Sequence, residues 1–222
     1  MPGAIGFDIY GTLVDPLEMN EHLRPIVGEK LAERFSELWR KEQIEYTFRR
    51  ALMRRYEDFG VCTRQALVHA ANVLGVDLTD EEQEKLIEEY QNLRPFPDVI
   101  PSIEALNSKG YTLVAFSNGV EATARTLLDR AGVLEHLHGV ISVDDVKTFK
   151  PDPEVYHYLV RRLGTEPSET WLVSSNPFDV IGAKAAGLAS AWIQRKPDAQ
   201  FDPWGIEPDL VAPDLEALAE RL

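Results

Sequence analysis

Residues 5–15 read IGFDIYGTLVD. The apolar run Ile5-Gly6-Phe7 ends in Asp8, and two residues later Tyr10 opens a tight Gly11-Thr12 turn. A short apolar run of this kind fits a parallel strand covered on both faces. A carboxylate just past its end lies where open α/β sheets bind ligands. What else arrives at that edge depends on the rest of the chain.

Beyond Pro16 the pattern changes. Up to about Leu93 there is no strand-like alternation, and apolar residues recur at helical spacing: Leu31, Phe35, Leu38, Trp39; Ile44, Phe48, Leu52; Ala66, Leu67, Ala70, Val73, Leu74. Gly60, Gly75 and Asp77 punctuate this block, and Thr79 three residues before Glu82 forms a capping-box signature. After RPFPDVIP, residues 94–101, strands and helices alternate. Helices are expected at Ile103–Asn107, Glu121–Ala131, Pro153–Leu163, Phe178–Ala186 and Leu215–Leu222. Strands are expected at Tyr111–Phe116, Val140–Ser142, Trp171–Val173 and Ala189–Gln194. The alternation predicts an α/β fold with a doubly wound, Rossmann-like parallel sheet. Its core comprises residues 1–15 and 94–222, and residues 16–93 form a helical cap inserted after the first strand.

Composition narrows the function. A chain of 222 residues with 44% hydrophobic content can bury one good core. A formal net charge of -14 argues against nucleic-acid or anionic-membrane partners and repels small anions, so an anionic substrate needs a locally positive pocket. The lone cysteine, Cys62, permits no internal disulfide and reads as a packing residue. MPGAIGFD enters the first strand with no signal-like segment, and no apolar run is long enough to span a bilayer; a cytoplasmic protein is expected. His22, His69, His136, His138 and His157 show no metal-ligand spacing.

The strand ends are the informative part. The first delivers Asp8, Tyr10 and Thr12; the second, Ser117-Asn118-Gly119; the third leads to Lys150 in FKPDP; the fourth, Ser174-Ser175-Asn176 and then Asp179. Taken singly, these are ordinary turn, cap and surface residues. Together they bring an acid, small hydroxyls, a lysine and a second acid to one edge.

DIYGT, FSNG, FKPDP and VSSNPFD resemble the four motifs of the haloacid dehalogenase superfamily, and within it the chain is most similar to the L-2-haloacid dehalogenases. LWRKEQIEYTF resembles the segment in which those enzymes carry a substrate-facing arginine, here Arg40. The resemblance implies that Asp8 displaces halide from C2 of a short L-2-haloalkanoate. Water then opens the resulting ester to a D-2-hydroxy acid, with inversion at C2. Lys150 serves as counter-ion to Asp8 and attracts the substrate carboxylate. Asp179 orients Lys150 and, with Ser174 and Asn176, positions water, while Thr12 steadies Asp8. Ser117 and the backbone near Tyr10 bind the carboxylate, and Arg40 and Asn118 accept halide. Tyr10, Ile44, Phe59 and Phe178 wall the pocket, with Tyr156 beside Lys150. No cofactor and no metal are implied, and a homodimer is. Two departures from the family pattern bear on pocket size: Lys41 follows Arg40 where an amide is common, and Phe178 replaces a tryptophan.

Most of the superfamily are magnesium-dependent phosphatases. Here Tyr10 replaces the second acid of the first motif and Ser175 the first acid of the fourth. The site therefore lacks carboxylates for a divalent ion and a general acid for an alkoxide leaving group. A halide departs without a proton. The alternatives are a phosphatase with an atypical site and a catalytically silent relative that binds a partner through its cap.

Overall fold

The structure, a computed structural model, describes residues 3–222; Met1 and Pro2 of the opening MPGAIGFD segment lie outside them. Six strands form one sheet: β1 (Ala4–Phe7), β2 (Thr112–Ser117), β3 (Gly139–Ser142), β4 (Thr170–Ser174), β5 (Ala189–Ile193) and β6 (Leu210–Ala212). All pair in parallel in the order β3-β2-β1-β4-β5-β6. β1 is central, with Phe7 opposite both Ala115 and Val173. Successive strands run outward on either side of it, so the crevice between the carboxyl ends of β1 and β4 is the switch point where such sheets bind ligands.

β1 is buried throughout, with Ile5 and Phe7 fully enclosed. Burying a side chain of that size contributes about 1.5–3 kcal/mol. β6 escaped the sequence reading because it has three residues, only one of them buried, giving no run long enough to register.

Between β1 and β2 the chain forms α1 (Met19–Val27), α2 (Glu29–Met53), α3 (Phe59–Leu74) and α4 (Asp80–Glu89), and no strand occurs there among the described residues. α2 packs against α1 and α3. The expected capping box opens α4: Thr79 Oγ1 accepts from Glu82 N–H at 3.2 Å, and Glu82 Oε2 accepts from Thr79 N–H at 2.8 Å. Gly75 caps α3 at φ 66, whereas Gly60 lies inside its first turn. The buried stripe of α2 runs Ala32, Phe35, Ser36, Trp39, Gln43, Thr47. Leu52, expected on the packed face, is 86% exposed. It lies about 140° round the helix from Thr47, off the stripe that polar Gln43 and Thr47 continue.

The remaining helices flank the sheet: α5 (Val99–Ser108), α6 (Glu121–Arg130), α7 (Pro153–Leu163), α8 (Pro177–Ala185) and α9 (Leu215–Arg221). α5 starts four residues earlier than its pattern predicts because Pro101 sits in its first turn, where no N–H is required.

Candidate active site

Asp8 follows β1, and its N–H extends the ladder by donating to Val173 O at 2.9 Å. Its side chain is nearly buried and each oxygen has its own company. Oδ2 accepts from Asn176 Nδ2 at 2.7 Å, Thr12 Oγ1 at 3.2 Å and Ser174 Oγ at 3.4 Å. Among the described residues Oδ1 accepts from Lys150 Nζ alone, at 3.0 Å. Gly11, at φ 90, lets the loop turn beneath Ser175: a Cβ there would meet Ser175 Oγ at 3.0 Å.

Lys150 is 1% exposed. Its ammonium also donates to Asp179 Oδ2 and Phe116 O, each at 2.9 Å. All three of its protons are thus engaged. Burial alone would pull this lysine down, but Asp179 and Asp8 outweigh it and hold Lys150 above the ordinary range. With no N–H left over, Lys150 has no further hydrogen bond to offer and can attract an anion through its charge alone, in keeping with the counter-ion role expected of it. Burial likewise pushes the Asp179 carboxyl up, with Lys150 opposing and the like charge of Asp8 adding.

Asp179 is fully buried near the start of α8, and its other oxygen, Oδ1, accepts from Tyr156 Oη at 2.8 Å. Each of its oxygens thus holds one side-chain donor, and through Oδ2 Asp179 orients Lys150. Tyr156, expected among the substrate contacts, is itself fully buried behind this pair. The cause is local: α8 carries Gly182 where Tyr156 and Pro151 approach, and a Cβ there would come within 2.5 Å of Tyr156 Oη.

Asn118 Oδ1 accepts from Lys150 N–H at 3.0 Å, and Nδ2 of Asn118 has no acceptor among the described residues. Ser117 Oγ accepts from Gly119 N–H at 2.9 Å, and its own proton has no acceptor among the described residues. Arg40, midway along α2, donates to Tyr10 O at 3.3 Å and to Gln43 Oε1 at 2.7 Å. Its guanidinium lies 5.8 Å from the Tyr10 ring centre. Tyr10 stacks at 5.6 Å on Phe59 and 5.4 Å on Tyr90, and burial, then Tyr90, push its hydroxyl up, so it stays neutral. Phe178 is half-buried, edge-on to Phe48 at 5.1 Å. Ile44 is half-buried one position past Gln43, and Lys41 is exposed.

A cavity of about 320 Å³ opens beside Asn176, lined by Tyr10, Arg40, Ser175 and Trp192 among others. Its charged lining is Arg40, Arg195 and Lys196 against Asp15 alone. Arg195 is paired with Asp98, so Arg40 and Lys196 against Asp15 leave the lining slightly positive; Asp8, Ser117 and Asn118 are not part of it.

Several supporting residues were invisible in the sequence reading. Gln43 and Tyr90 hold Arg40; three-residue helical spacing from Arg40 was the one available signal for Gln43. Arg195 clamps both oxygens of Asp98 at 2.8 and 2.7 Å and donates to Thr12 O at 2.6 Å. Tyr56 Oη donates to Asp144 Oδ1 at 2.6 Å, and its ring lies 4.9 Å from that of Phe149, next to Lys150. Cys62 is enclosed, and burial pushes its thiol up to about 11, so it is no nucleophile. Among the described residues, no cluster of three or more His, Cys, Asp or Glu side chains could hold a metal ion, and no helix is long and apolar enough to cross a membrane.

The family model of haloacid dehalogenase-like hydrolases matches residues 2–187. Haloacetate dehalogenase H-2 of Moraxella sp. (strain B) is 37% identical, over 99% of this chain and 97% of its own. (S)-2-Haloacid dehalogenase 1 of Pseudomonas sp. (strain CBS-3) is 39% identical, over 86% of this chain and 84% of its own. The L-2-haloacid dehalogenase of Xanthobacter autotrophicus, solved with chloropropionic acid covalently bound, superposes with a TM-score of 0.92 at 30% identity, covering 99% of this chain and 98% of that one. A six-stranded parallel sheet with an acid–lysine–acid arrangement at its switch point and full-length likeness to these enzymes lead to one assignment: the chain belongs to the haloacid dehalogenase-like hydrolases, among the L-2-haloacid dehalogenases.

Proposed function

We propose that the protein hydrolyses short L-2-haloalkanoic acids to D-2-hydroxy acids, with inversion at C2, through an ester on Asp8. One observation carries the reading: the Lys150 ammonium bridges Asp8 Oδ1 and Asp179 Oδ2. The positive charge between the two acids is a lysine whose protons are all spent. A divalent ion bridging the same oxygens would have to displace it. The magnesium-phosphatase alternative also lacks the two acids that Tyr10 and Ser175 replace, and so the carboxylate ligands a divalent ion would take.

The two oxygens of Asp8 divide the chemistry. Oδ1, with a single donor, attacks C2; the carbon–halogen bond breaks and halide leaves with the bonding pair. Oδ2 becomes the ester carbonyl oxygen, already facing Asn176, Thr12 and Ser174. When water adds to the carboxyl carbon, the negative charge develops on Oδ2, where those donors are pre-aimed. The adding water gives up one proton to solvent; collapse passes its other proton to the departing alkoxide oxygen, releasing the hydroxy acid and returning the Asp8 carboxylate. Arg40 and Asn118 Nδ2 supply donors for the departing halide, Ser117 Oγ–H and the backbone near Tyr10 bind the substrate carboxylate, and Tyr10, Ile44, Phe59 and Phe178 wall the pocket.

In this proposal α1–α4, within residues 16–93, act as a cap that supplies Arg40, and the enzyme works without metal, in the cytoplasm, as a homodimer. Halide release from both enantiomers of 2-chloropropionate in EDTA tests the reaction. Chloride from the L enantiomer with D-lactate as product is expected. Inert halogenated acids alongside EDTA-sensitive cleavage of p-nitrophenyl phosphate would overturn it.

A further inference from the structure

Arg40 reaches the pocket from the middle of a long helix, and a free arginine there would sample many rotamers. What holds it is a polar relay across three helical segments. Gln43 is fully buried, and its Oε1 accepts from Arg40 at 2.7 Å and from Tyr90 Oη at 3.0 Å. Its Nε2 donates to Thr63 Oγ1 at 2.6 Å. Thr63 in turn spends its only proton on Phe59 O, at 2.7 Å. With that proton committed, Thr63 Oγ1 faces Gln43 as an acceptor, so the Gln43 amide must turn its NH₂ toward Thr63 and its oxygen toward Arg40. The reverse orientation would set an N–H against the guanidinium and leave buried groups unpaired.

We infer that Gln43, its amide orientation set by Thr63, is a positioning residue that aims Arg40 at the leaving halide and thereby sets how well the enzyme handles the less willing leaving groups. The inference rests on the proposed dehalogenation, with Arg40 as halide acceptor. Gln43 does not touch substrate. It acts through a guanidinium that contributes only as the carbon–halogen bond breaks. Chloride needs that help more than bromide, whose bond to carbon is weaker. Misaiming Arg40 should therefore slow chloride release more than bromide release and spare substrate binding, since the carboxylate is held elsewhere.

The test is single-turnover halide release from L-2-chloro- and L-2-bromopropionate by the parent, Gln43→Met and Thr63→Val. Misplacement of a group by an ångström costs up to about 100-fold, so Gln43→Met should lose roughly that on the chloro acid, with a bromo-to-chloro rate ratio at least about fivefold above the parent's and KM changed by less than about threefold. Thr63→Val matches threonine in shape and does not contact Arg40, yet should shift the ratio in the same direction by freeing the Gln43 amide to rotate. It carries the test alone if Gln43→Met does not fold. Equal slowing on both halides, or an unchanged ratio in Thr63→Val at an unchanged melting temperature, overturns the inference. A parent that releases neither halide overturns the proposed function instead, and so fails separately.

Discussion

Tyr156 donates a 2.8 Å hydrogen bond to Asp179 Oδ1, the oxygen that Lys150 does not use. The relationship extends the site to four residues in series, Tyr156–Asp179–Lys150–Asp8, in which each group fixes the next. Tyr156→Phe leaves a buried carboxylate oxygen without its donor, at a cost of about 1–3 kcal/mol. It should lower the urea midpoint and slow halide release about tenfold without touching KM. An unchanged rate would make Tyr156 a packing residue only.

The division of labour between the Asp8 oxygens predicts an isotope pattern. In a single turnover in heavy-oxygen water, the product hydroxyl should carry the original Asp8 oxygen while the label enters the Asp8 carboxylate. Mass spectrometry of product and of the peptide holding residue 8 reads this. Asp8→Asn should release no halide. Label appearing first in the product would mean that water attacks C2 directly.

The direction of the Lys150 shift sets a pH dependence. Its folded pKa lies above its unfolded value, so the folded chain holds the proton more tightly. The stability it contributes is complete below the unfolded lysine range near about 10.4 and is lost as pH rises through the folded value. Halide release should show no fall from lysine deprotonation up to about pH 10. The urea midpoint should decline above that range in the parent, and Lys150→Met should lack the alkaline decline. A rate that falls with a midpoint near pH 8 would contradict this.

Arg195 ties three segments together: Asp98 before α5, the Thr12 carbonyl beside Asp8, and, through Asp98 Oδ2, the N–H of Leu215 at the start of α9 at 2.7 Å. The pair is largely buried, with Arg195 13% and Asp98 11% exposed in their side chains. Removing one partner of such a pair costs about 3–5 kcal/mol. Arg195→Met should therefore lose about that much by denaturant titration, and Asp98→Asn, which keeps an acceptor for Arg195, should lose less. Equal losses in the two variants would mean that the charge itself carries the stability.

The sheet and the chemistry at its edge were legible from sequence, because both are local. Period-two and helical spacings depend on near neighbours, and the ends of parallel strands must face one crevice, so the sequence by itself places Asp8, Ser117, Ser174 and Asp179 there. The arrangement of the side chains was decided only by the tertiary structure. That Lys150 exhausts its donors on Asp8, Asp179 and Phe116 depends on partners up to 142 residues away. That Tyr156 backs Asp179 depends on Gly182 in a neighbouring helix. Gln43 and Thr47 sit on the buried stripe of α2 where a hydrophobic pattern expects apolar residues, so the relay holding Arg40 stayed invisible while Leu52 was misplaced. Buried polar residues owe their positions to specific distant hydrogen-bond partners, and spacing along a chain encodes which face a residue occupies, not whom it meets there.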